Sequence, residues 1–476
     1  MRASEWLEIL QKKSCTVIGL GVSNLPLIDY LLAHGVTVTG RDEKCKERLG
    51  DTAIQLEKKG VRLFLGDGYL DDIDEEIIFR SPGVHPHTEQ ILRAVENGAI
   101  LTSEMELFLD LTPTRVYAVT GSDGKTTTTT LTYRMLEEEA RRNGGGRVYV
   151  GGNIGEPLLP YVDQMTDADV SVVELSSFQL YTMQRSPHIS AVTNLSPNHL
   201  NWHSDMDDYV EAKTNIYKHE TNQRAVFNAE NEITLTLAKE YAGNVTLFSS
   251  VKHTLSAFEG LLKAGDRAVF VREDGMIVLW NGEQEVPYFH AEEIFLPGKH
   301  NLENYLTAIA LTDGAVSVAS TLEVAKHFQG VAHRLEFVRE VGGVAYYNSS
   351  IDTSPTRTAA ALSALKKKPI VICGGYDKHI PFAPLAEALC KKAKAVVLTG
   401  ATANLIREAL NEVDCKLDLY RADDFTEAVL LAKRVAQLGD IVLLSPACAS
   451  FDVFHNFAER GDRFREIVMS FSEKEK

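Results

Sequence analysis

The sequence predicts an α/β protein of three domains. A chain of 476 residues is too long for one ordinary hydrophobic core, which sets a prior of two to three domains. Short apolar runs of strand length alternate with segments of helical spacing along the whole chain, the pattern of sheets covered by helices. Those runs end repeatedly in glycine-rich or polar loops, and such strand-end loops are where α/β sheets gather ligands.

The first section, residues 1–112, starts with a short buried-type strand at Ser14–Gly19 and a helix at Asn24–His34 with Leu27, Ile28, Leu31 and Leu32 on one face. A second strand follows at Val36–Gly40. The turn Gly19–Asn24 resembles a dinucleotide fingerprint, with Asp42 about twenty residues on, where that motif places a ribose-binding acid. Asn24 stands in place of the third glycine. NAD, another nucleotide and plain α/β architecture all remain open for this turn. A later strand over Ile77–Gly83 ends in Arg80-Ser81-Pro82-Gly83, a further loop at a carboxyl edge.

The second section, residues 113–330, carries the main chemical signal. The apolar run Val116–Val119 breaks into Thr120-Gly121-Ser122-Asp123-Gly124-Lys125-Thr126-Thr127 and then a helix with Leu131, Met135, Leu136 and Ala140 on one face, ended by Gly144-Gly145-Gly146. Backbone N–H groups in such a loop and helix start point at nucleotide phosphates. Lys125 is placed to reach the β- and γ-phosphates and the Thr126 hydroxyl to bind Mg²⁺. The match to the common phosphate loop is incomplete, because its first glycine falls at Val119. Val148–Val150 leads into Gly151-Gly152-Asn153-Ile154-Gly155, a strand at Val170–Glu174 delivers an acid at its end, and Ile189–Asn194 delivers an amide in the same way. Between Asn244 and Pro297, Asp274-Gly275 and Asn281-Gly282 read as hairpin turns. The third section, residues 331–476, alternates strands at Val344–Tyr347, Ile370–Cys373, Ala395–Thr399 and Ile441–Leu444 with helices such as Phe382–Cys390 and Phe425–Ala436, a second doubly wound sheet.

Composition narrows the class. A formal net charge of −17 argues against nonspecific binding to nucleic acid or anionic membranes. No apolar run reaches membrane-spanning length, and Met1–Lys13 lacks the apolar stretch of a signal peptide, so a cytoplasmic location is expected. The six cysteines are scattered without a C-x-x-C pair, which suits reduced thiols better than a disulfide framework or a zinc site.

Several side chains allow two readings. Glu174 at a strand end beside a phosphate loop suits a Mg²⁺ ligand, while Glu174 with Ser176 also suits the start of a helix. His199 and His203 are four apart and on a helix would share a face as in a zinc site, although no glutamate or cysteine accompanies them; a structural histidine or a ligand-facing loop is the alternative. Lys213 reads by itself as a solvated lysine on an amphipathic helix. Asn301 and Asn304 in Gly298-Lys299-His300-Asn301-Leu302-Glu303-Asn304 either cap a helix or read a base edge.

In this order, the phosphate loop, Glu174-Leu-Ser-Ser-Phe-Gln, Asn194 through His203, Gly298 through Asn304, His333-Arg334, Gly374-Gly375-Tyr376-Asp377-Lys378, Leu444-Ser-Pro-Ala-Cys-Ala-Ser-Phe-Asp452 and Arg460-Gly461-Asp462-Arg463-Phe464 resemble the Mur ligase family over essentially the whole chain. The resemblance implies a Rossmann-like UDP-binding first domain, a central ATP-binding domain and a Rossmann-like C-terminal domain. It implies an ATP-dependent ligase of peptidoglycan precursor synthesis, adding D-glutamate to UDP-N-acetylmuramoyl-L-alanine through an acyl phosphate, with no nucleic-acid partner and a monomeric state. Gly121, Ser122, Asp123, Gly124, Lys125, Thr126 and Thr127 would hold ATP, with Asn301, Asn304 and Arg334 at adenine and phosphates. Thr126, Glu174, His199 and Lys213 would serve two Mg²⁺ sites, Lys213 as a carbamate formed with CO₂, which requires a lowered pKa. Lys125, Glu174, His199 and Lys213 are thereby the implied catalytic set. Leu20, Gly21, Arg41 and Ser81 would hold UDP, Asn153 and Ser176 the sugar side, and Thr353, Lys378, Ser450 and Phe457 the D-glutamate.

Three departures from the family pattern stand out: Asn198 for an aspartate, Ser122-Asp123 for Thr-Asn, and Asn348-Ser349-Ser350-Ile351-Asp352-Thr353 for Asn-Asp-Ser-Lys-Ala-Thr. Ser349 lacks the carboxylate and Ile351 the amine of that last pattern, and Asp352 is the candidate to compensate. A nicotinamide oxidoreductase resting on Gly19–Asn24 is the rival from another class, and another amino-acid-adding ligase of the superfamily, such as a folylpolyglutamate-type enzyme, is the nearer one.

Overall fold

A computed structural model of the chain describes residues 3–21, 23–200, 202–365, 367–377, 380–413 and 416–472. It divides into two compact units, residues 1–328 and 329–476. The first unit holds two sheets and the second holds one.

The first sheet is β1 (Cys15–Ile18), β2 (Val38–Asp42), β3 (Arg62–Leu65), β4 (Ile77–Arg80) and β5 (Ile100–Thr102), ordered β3-β2-β1-β4-β5 with every pair parallel. β1, β2 and β4 are short and almost wholly buried, which is why their apolar runs show no alternation. The strand order reverses between β1 and β4, so the loops after Ile18 and Arg80 open side by side, with the Ser81 N–H donating to Ile18 O at 2.8 Å.

The second sheet is β6 (Arg115–Thr120), β7 (Val148–Gly152), β8 (Val170–Glu174), β9 (Ile189–Val192), β10 (Arg224–Asn228), β11 (Val245–Ser249), β12 (Arg267–Val271), β13 (Met276–Trp280) and β14 (Glu285–His290). Its order is β14-β13-β12-β11-β10-β9-β6-β8-β7. The strands pair in parallel up to β12, and β12-β13-β14 form the antiparallel hairpins announced by Asp274-Gly275 and Asn281-Gly282. The helix Glu104–Leu111, capped by Ser103 through the Glu106 N–H, leads from β5 to β6. It buries Met105, Leu107, Phe108 and Leu109 in one apolar cluster that runs from Trp6 and Leu31 to Leu180 and Phe270, so the two sheets of this unit share a core.

The second unit holds β15 (Glu336–Val341), β16 (Val344–Asn348), β17 (Ile370–Cys373), β18 (Ala395–Leu398), β19 (Asp418–Arg421) and β20 (Ile441–Leu444), ordered β15-β16-β20-β17-β18-β19. Only the β15–β16 pair is antiparallel. Separate apolar clusters cover its two faces.

One expectation is corrected here. Cys15, Cys45, Cys373 and Cys448 are free, but Cys390 is disulfide-bonded. Pairing depends on which cysteines the fold brings together, which scattered spacings do not reveal. Among the described residues no helix is long and apolar enough to cross a membrane.

Candidate active site at the phosphate loop

β6 is an interior strand of its sheet between β9 and β8, and its end opens directly into the loop Gly121–Gly124 and the helix Lys125–Asn143. Gly124 turns the chain with φ of 80°, and a Cβ there would collide with the Asn304 side-chain oxygen, so the turn accepts only glycine. The Thr128 hydroxyl donates to the same Asn304 oxygen at 3.2 Å. Asn304, buried on the helix Lys299–Thr312, is thus pinned against the start of the phosphate-loop helix, while Asn301 donates to Pro297 O.

The loop is built around its own backbone. Ser122 N–H donates to Asn194 O at 2.8 Å and Asp123 N–H to Asn194 Oδ1 at 3.0 Å, so the amide delivered after β9 shapes the loop. The Thr193 hydroxyl and the Asn194 amide both donate to Asp123 O. Asp123 itself is exposed. The Ser122 hydroxyl is buried, donating to Ser196 O and lying 3.0 Å from the Tyr209 hydroxyl. Thr126 and Thr127 lie on the first turn of the helix.

Two amines converge on one carbonyl. Lys125 Nζ donates to Gly121 O and Ser122 O, each at 3.0 Å. Lys213 Nζ donates to Gly121 O and to the Thr120 hydroxyl, each at 3.0 Å. Lys213 projects from the helix Met206–Thr214 and is 2 % exposed, its amine 4.9 Å from the Tyr209 ring centre. Burial holds its pKa well below the usual 10.5, the Lys125 charge lowers it further, and Glu174 opposes both. The amphipathic-helix reading of Lys213 as a solvated side chain is therefore wrong.

Glu174 ends β8 and is 1 % exposed. Its Oε1 accepts the Asn153 amide at 2.7 Å, and its Oε2 is buried with no partner. A buried carboxylate oxygen left without a donor fits a divalent cation, so the donor set here suits Mg²⁺. The competing helix-cap reading belongs to Ser176 instead: its hydroxyl and N–H pair reciprocally with Gln179 to start the short helix Ser177–Leu180. Asn153 also donates its N–H to Glu174 O, which makes it a support of Glu174.

The histidine pair separates. His199 is exposed, in the left-handed region at φ of 57°, with its ring against Phe178. His203 is buried, bonded on one ring nitrogen to Asp208 at 3.0 Å and on the other to Ser177 at 2.9 Å, and burial lowers its pKa. The two do not share a helix face, and among the described residues no cluster of three His, Cys, Asp or Glu could hold a metal alone. Oxygens from Thr126, a ligand or a modified lysine would have to complete any such shell.

In the first sheet, Leu20 N–H donates to Asp42 Oδ2 at 2.7 Å and Lys44 N–H to Asp42 Oδ1 at 2.9 Å. Each oxygen of the acid expected at a ribose accepts a backbone N–H, so Asp42 holds the turn after β1 in place. Asn24 closes the turn where a third glycine was absent, its amide donating to Ile18 O and Gly19 O. Gly21 and Ser81 flank the opening between β1 and β4. Arg41 is corrected: it is fully buried, and its guanidinium donates to Thr16 Oγ1, to the Tyr69, Asp71 and Asp72 carbonyls and to Glu75. All five donors of that side chain are engaged within the protein. Sequence reasoning overlooked Arg80, also fully buried, which ties Ser81, Pro82 and Val84 carbonyls to Phe178 O beyond Glu174.

In the second unit, Ser450 is buried and Phe457 opens the helix Phe457–Met469. Thr353 follows β16 after the buried Asp352, whose carboxylate accepts the Ser445 hydroxyl at 2.8 Å. Burial raises the Asp352 pKa. Arg334 is exposed near the start of this unit. Lys378 lies outside the described residues.

An interior parallel strand that feeds a glycine-lysine-threonine loop, flanked by a buried acid and a desolvated lysine, defines a nucleotide-phosphate-binding α/β enzyme. Three family models match in succession: the Mur ligase MurD-like N-terminal domain at residues 13–103, the Mur ligase middle domain at 119–312 and the Mur ligase glutamate ligase domain at 333–448. The UDP-N-acetylmuramoylalanine–D-glutamate ligase of Clostridium novyi is 45 % identical over 471 residues, covering 98 % of each chain. Proteins of the same name from Clostridium perfringens and Acetivibrio thermocellus are 44 % and 43 % identical over 98 % of this chain. Among solved structures, the MurC ligase of Thermotoga maritima matches with a TM-score of 0.52 at 19 % identity, over 96 % of this chain and 99 % of that one, and MurF of Acinetobacter baumannii with 0.54 at 16 % identity, over 82 % and 90 %. The chain belongs to the Mur ligase family, with its three-domain architecture.

Proposed function

We propose that the chain joins D-glutamate to UDP-N-acetylmuramoyl-L-alanine at the expense of ATP, the activity named in its relatives. The observation that carries the site assignment is the desolvated Lys213 amine, 3.0 Å from both the Thr120 hydroxyl and Gly121 O of the phosphate loop.

In this reading Lys125 leaves the Gly121 and Ser122 carbonyls for the phosphates of ATP, exchanging neutral acceptors for charged ones. The N–H groups at the start of the helix Lys125–Asn143 receive the same phosphates, with Ser122 and Asp123 setting the loop and Asn301 and Asn304 serving the adenine and phosphates; Arg334 is assigned to ATP by the family resemblance. Glu174, His199, the Thr126 hydroxyl and Lys213 would hold Mg²⁺, at two sites in this reading, and the metal would supply neutralisation of charge on the transferring phosphoryl group. Lys213 enters as a carbamate: its neutral amine attacks CO₂, an N–C bond forms and one proton is released. Asn153 keeps Glu174 aimed, and Ser176 starts the turn beside it. Leu20, Gly21 and Ser81 receive the uridine diphosphate, while Arg41 holds the strand end beneath them. The L-alanine carboxylate attacks the γ-phosphorus and ADP departs. The D-glutamate amine, placed by Thr353, Lys378, Ser450 and Phe457, then attacks the acyl phosphate, releasing inorganic phosphate as the amide forms. Holding three substrates in register is the main contribution of such a site.

The test is release of ADP that requires both UDP-N-acetylmuramoyl-L-alanine and D-glutamate. Folded protein that releases none would overturn the reading, and a change in NAD(P)H absorbance with either substrate would support the oxidoreductase alternative.

A further inference from the structure

The run Arg460–Phe464 takes no part in the chemistry above, yet Arg460 occupies an unusual place. It lies on the first turn of the helix Phe457–Met469 and is 2 % exposed. Its Nε donates to the Ser350 hydroxyl at 3.0 Å, one Nη to Ser350 O at 2.9 Å and Cys448 O at 3.1 Å, and the other Nη to Ala449 O at 3.0 Å. The Ser350 hydroxyl in turn donates to Phe457 O at 2.7 Å. A Cβ on Gly375 would stand 3.2 Å from the same guanidinium, so the turn at Gly374–Tyr376 closes over it.

Three loops therefore meet on one side chain. They leave the carboxyl ends of β16, β17 and β20, which are neighbours and mutually parallel in the order β16-β20-β17. Those loops carry Thr353, Ser450 and the residues leading to Lys378. Among the described residues Arg460 forms no ion pair, and its hydrogen-bond acceptors are all neutral oxygens. Desolvation pulls its pKa down to about 10, with Cys448, Asp452 and Asp352 opposing. A buried cation without a paired anion is unfavourable for the fold by itself, and an apolar residue of similar volume would pack there at lower cost. The arrangement is favourable where an anion is to be bound nearby.

Building on the ligase reading, we infer that Arg460 is the positioning residue of the amino-acid subsite: its guanidinium fixes the three loops in one register, and its charge, in no direct ion pair among the described residues, favours an amino acid bearing two carboxylates. Arg460→Lys retains the charge and loses the planar fork. Arg460→Met loses both.

The experiment measures KM for each substrate in full-length variants and, without amino acid, traps the acyl phosphate with hydroxylamine. For Arg460→Lys the KM for D-glutamate is expected to rise about tenfold, with those for ATP and the UDP precursor within about twofold and hydroxamate yield retained. For Arg460→Met the preference for D-glutamate over D-glutamine, measured as a kcat/KM ratio, is expected to fall about tenfold further. A D-glutamate KM within about twofold of the parent in Arg460→Lys, or an equal rise in all three KM values, overturns the inference. If Arg460→Met does not fold, Arg460→Lys alone decides. Failure of the unaltered protein to release ADP with D-glutamate would instead fault the ligase reading.

Discussion

Replacing Lys213 by alanine separates a structural lysine from a chemical one. The side chain makes two hydrogen bonds at 3.0 Å, to Thr120 Oγ1 and Gly121 O. Their loss is worth about 1–3 kcal/mol in total, and removing a desolvated amine offsets part of it. Stability should fall by no more than that, and the variant should fold. Turnover should fall much further. If the carbamate supplies charge stabilisation for phosphoryl transfer, its removal costs about 3–4 kcal/mol, or ~10²–10³ in kcat. Coupled ADP-release assays read kcat, and urea unfolding reads stability. Added acetate or formate should restore part of the rate. The pH sign also follows. Lys213 has a folded pKa below 10.5, so between that value and 10.5 the unfolded chain binds more protons and stability rises with pH. Lys213→Ala should lose that part of the slope. Parent-like turnover in the folded variant, or a loss that carboxylic acids leave untouched, would refute the carbamate role.

Other substitutions test other parts of the structure. Gly124→Ala forces a side chain into φ of 80° and against Asn304, and should weaken binding of a non-hydrolysable ATP analogue at least about tenfold by calorimetry; unchanged affinity would refute the close approach. Glu104 is buried with its pKa raised to about 7 by desolvation, so between 4.5 and 7 the folded state binds more protons and stability falls as pH rises. Glu104→Gln should therefore gain stability at pH 8 relative to pH 5, by up to about 3 kcal/mol in urea unfolding, and an unchanged pH slope would refute the assignment. Asp352→Ala leaves the Ser445 hydroxyl without its carboxylate acceptor and should lower kcat/KM for D-glutamate about tenfold; unaltered kinetics would remove any compensating role for Asp352.

Much of this could be read before any coordinates. The strands ending in Glu174 and the apolar runs at Ile370 and Ile441 are continuous because both sheet faces are covered, and such runs are easily recognised. The two hairpin turns were equally plain. Edge strands β3, β15 and β19 were not, because exposed or half-exposed residues such as Arg62, Asp418 and Arg339 break the apolar pattern. At the site, glycine, lysine and threonine spacing gave the phosphate loop directly. Lys213 looked like a surface residue because helical periodicity says nothing about what lies across from a side chain. Arg41 was assigned to UDP by the family resemblance alone, and a resemblance does not reveal that the turn at Tyr69–Asp72 folds over it. Arg80 and Arg460 stood in quoted motifs without a role of their own, because their partners are mostly backbone carbonyls, which carry no residue identity.

The apolar cluster that passes from Trp6 and Leu31 through Phe108 to Phe270 bears on how this chain can be dissected. A gene fragment ending at residue 112 would strip the helix Glu104–Leu111 of the packing partners that lie beyond the cut, such as Leu158 and Leu180. The exposed leucines and phenylalanines would drive aggregation of either half. Severing the chain between Phe328 and Gln329 instead follows the boundary between the two compact units, and the apolar clusters described above each lie on one side of it. Swapping experiments that exchange amino-acid specificity between ligases should therefore take residues 329–476 as the cassette and keep residues 1–328 together.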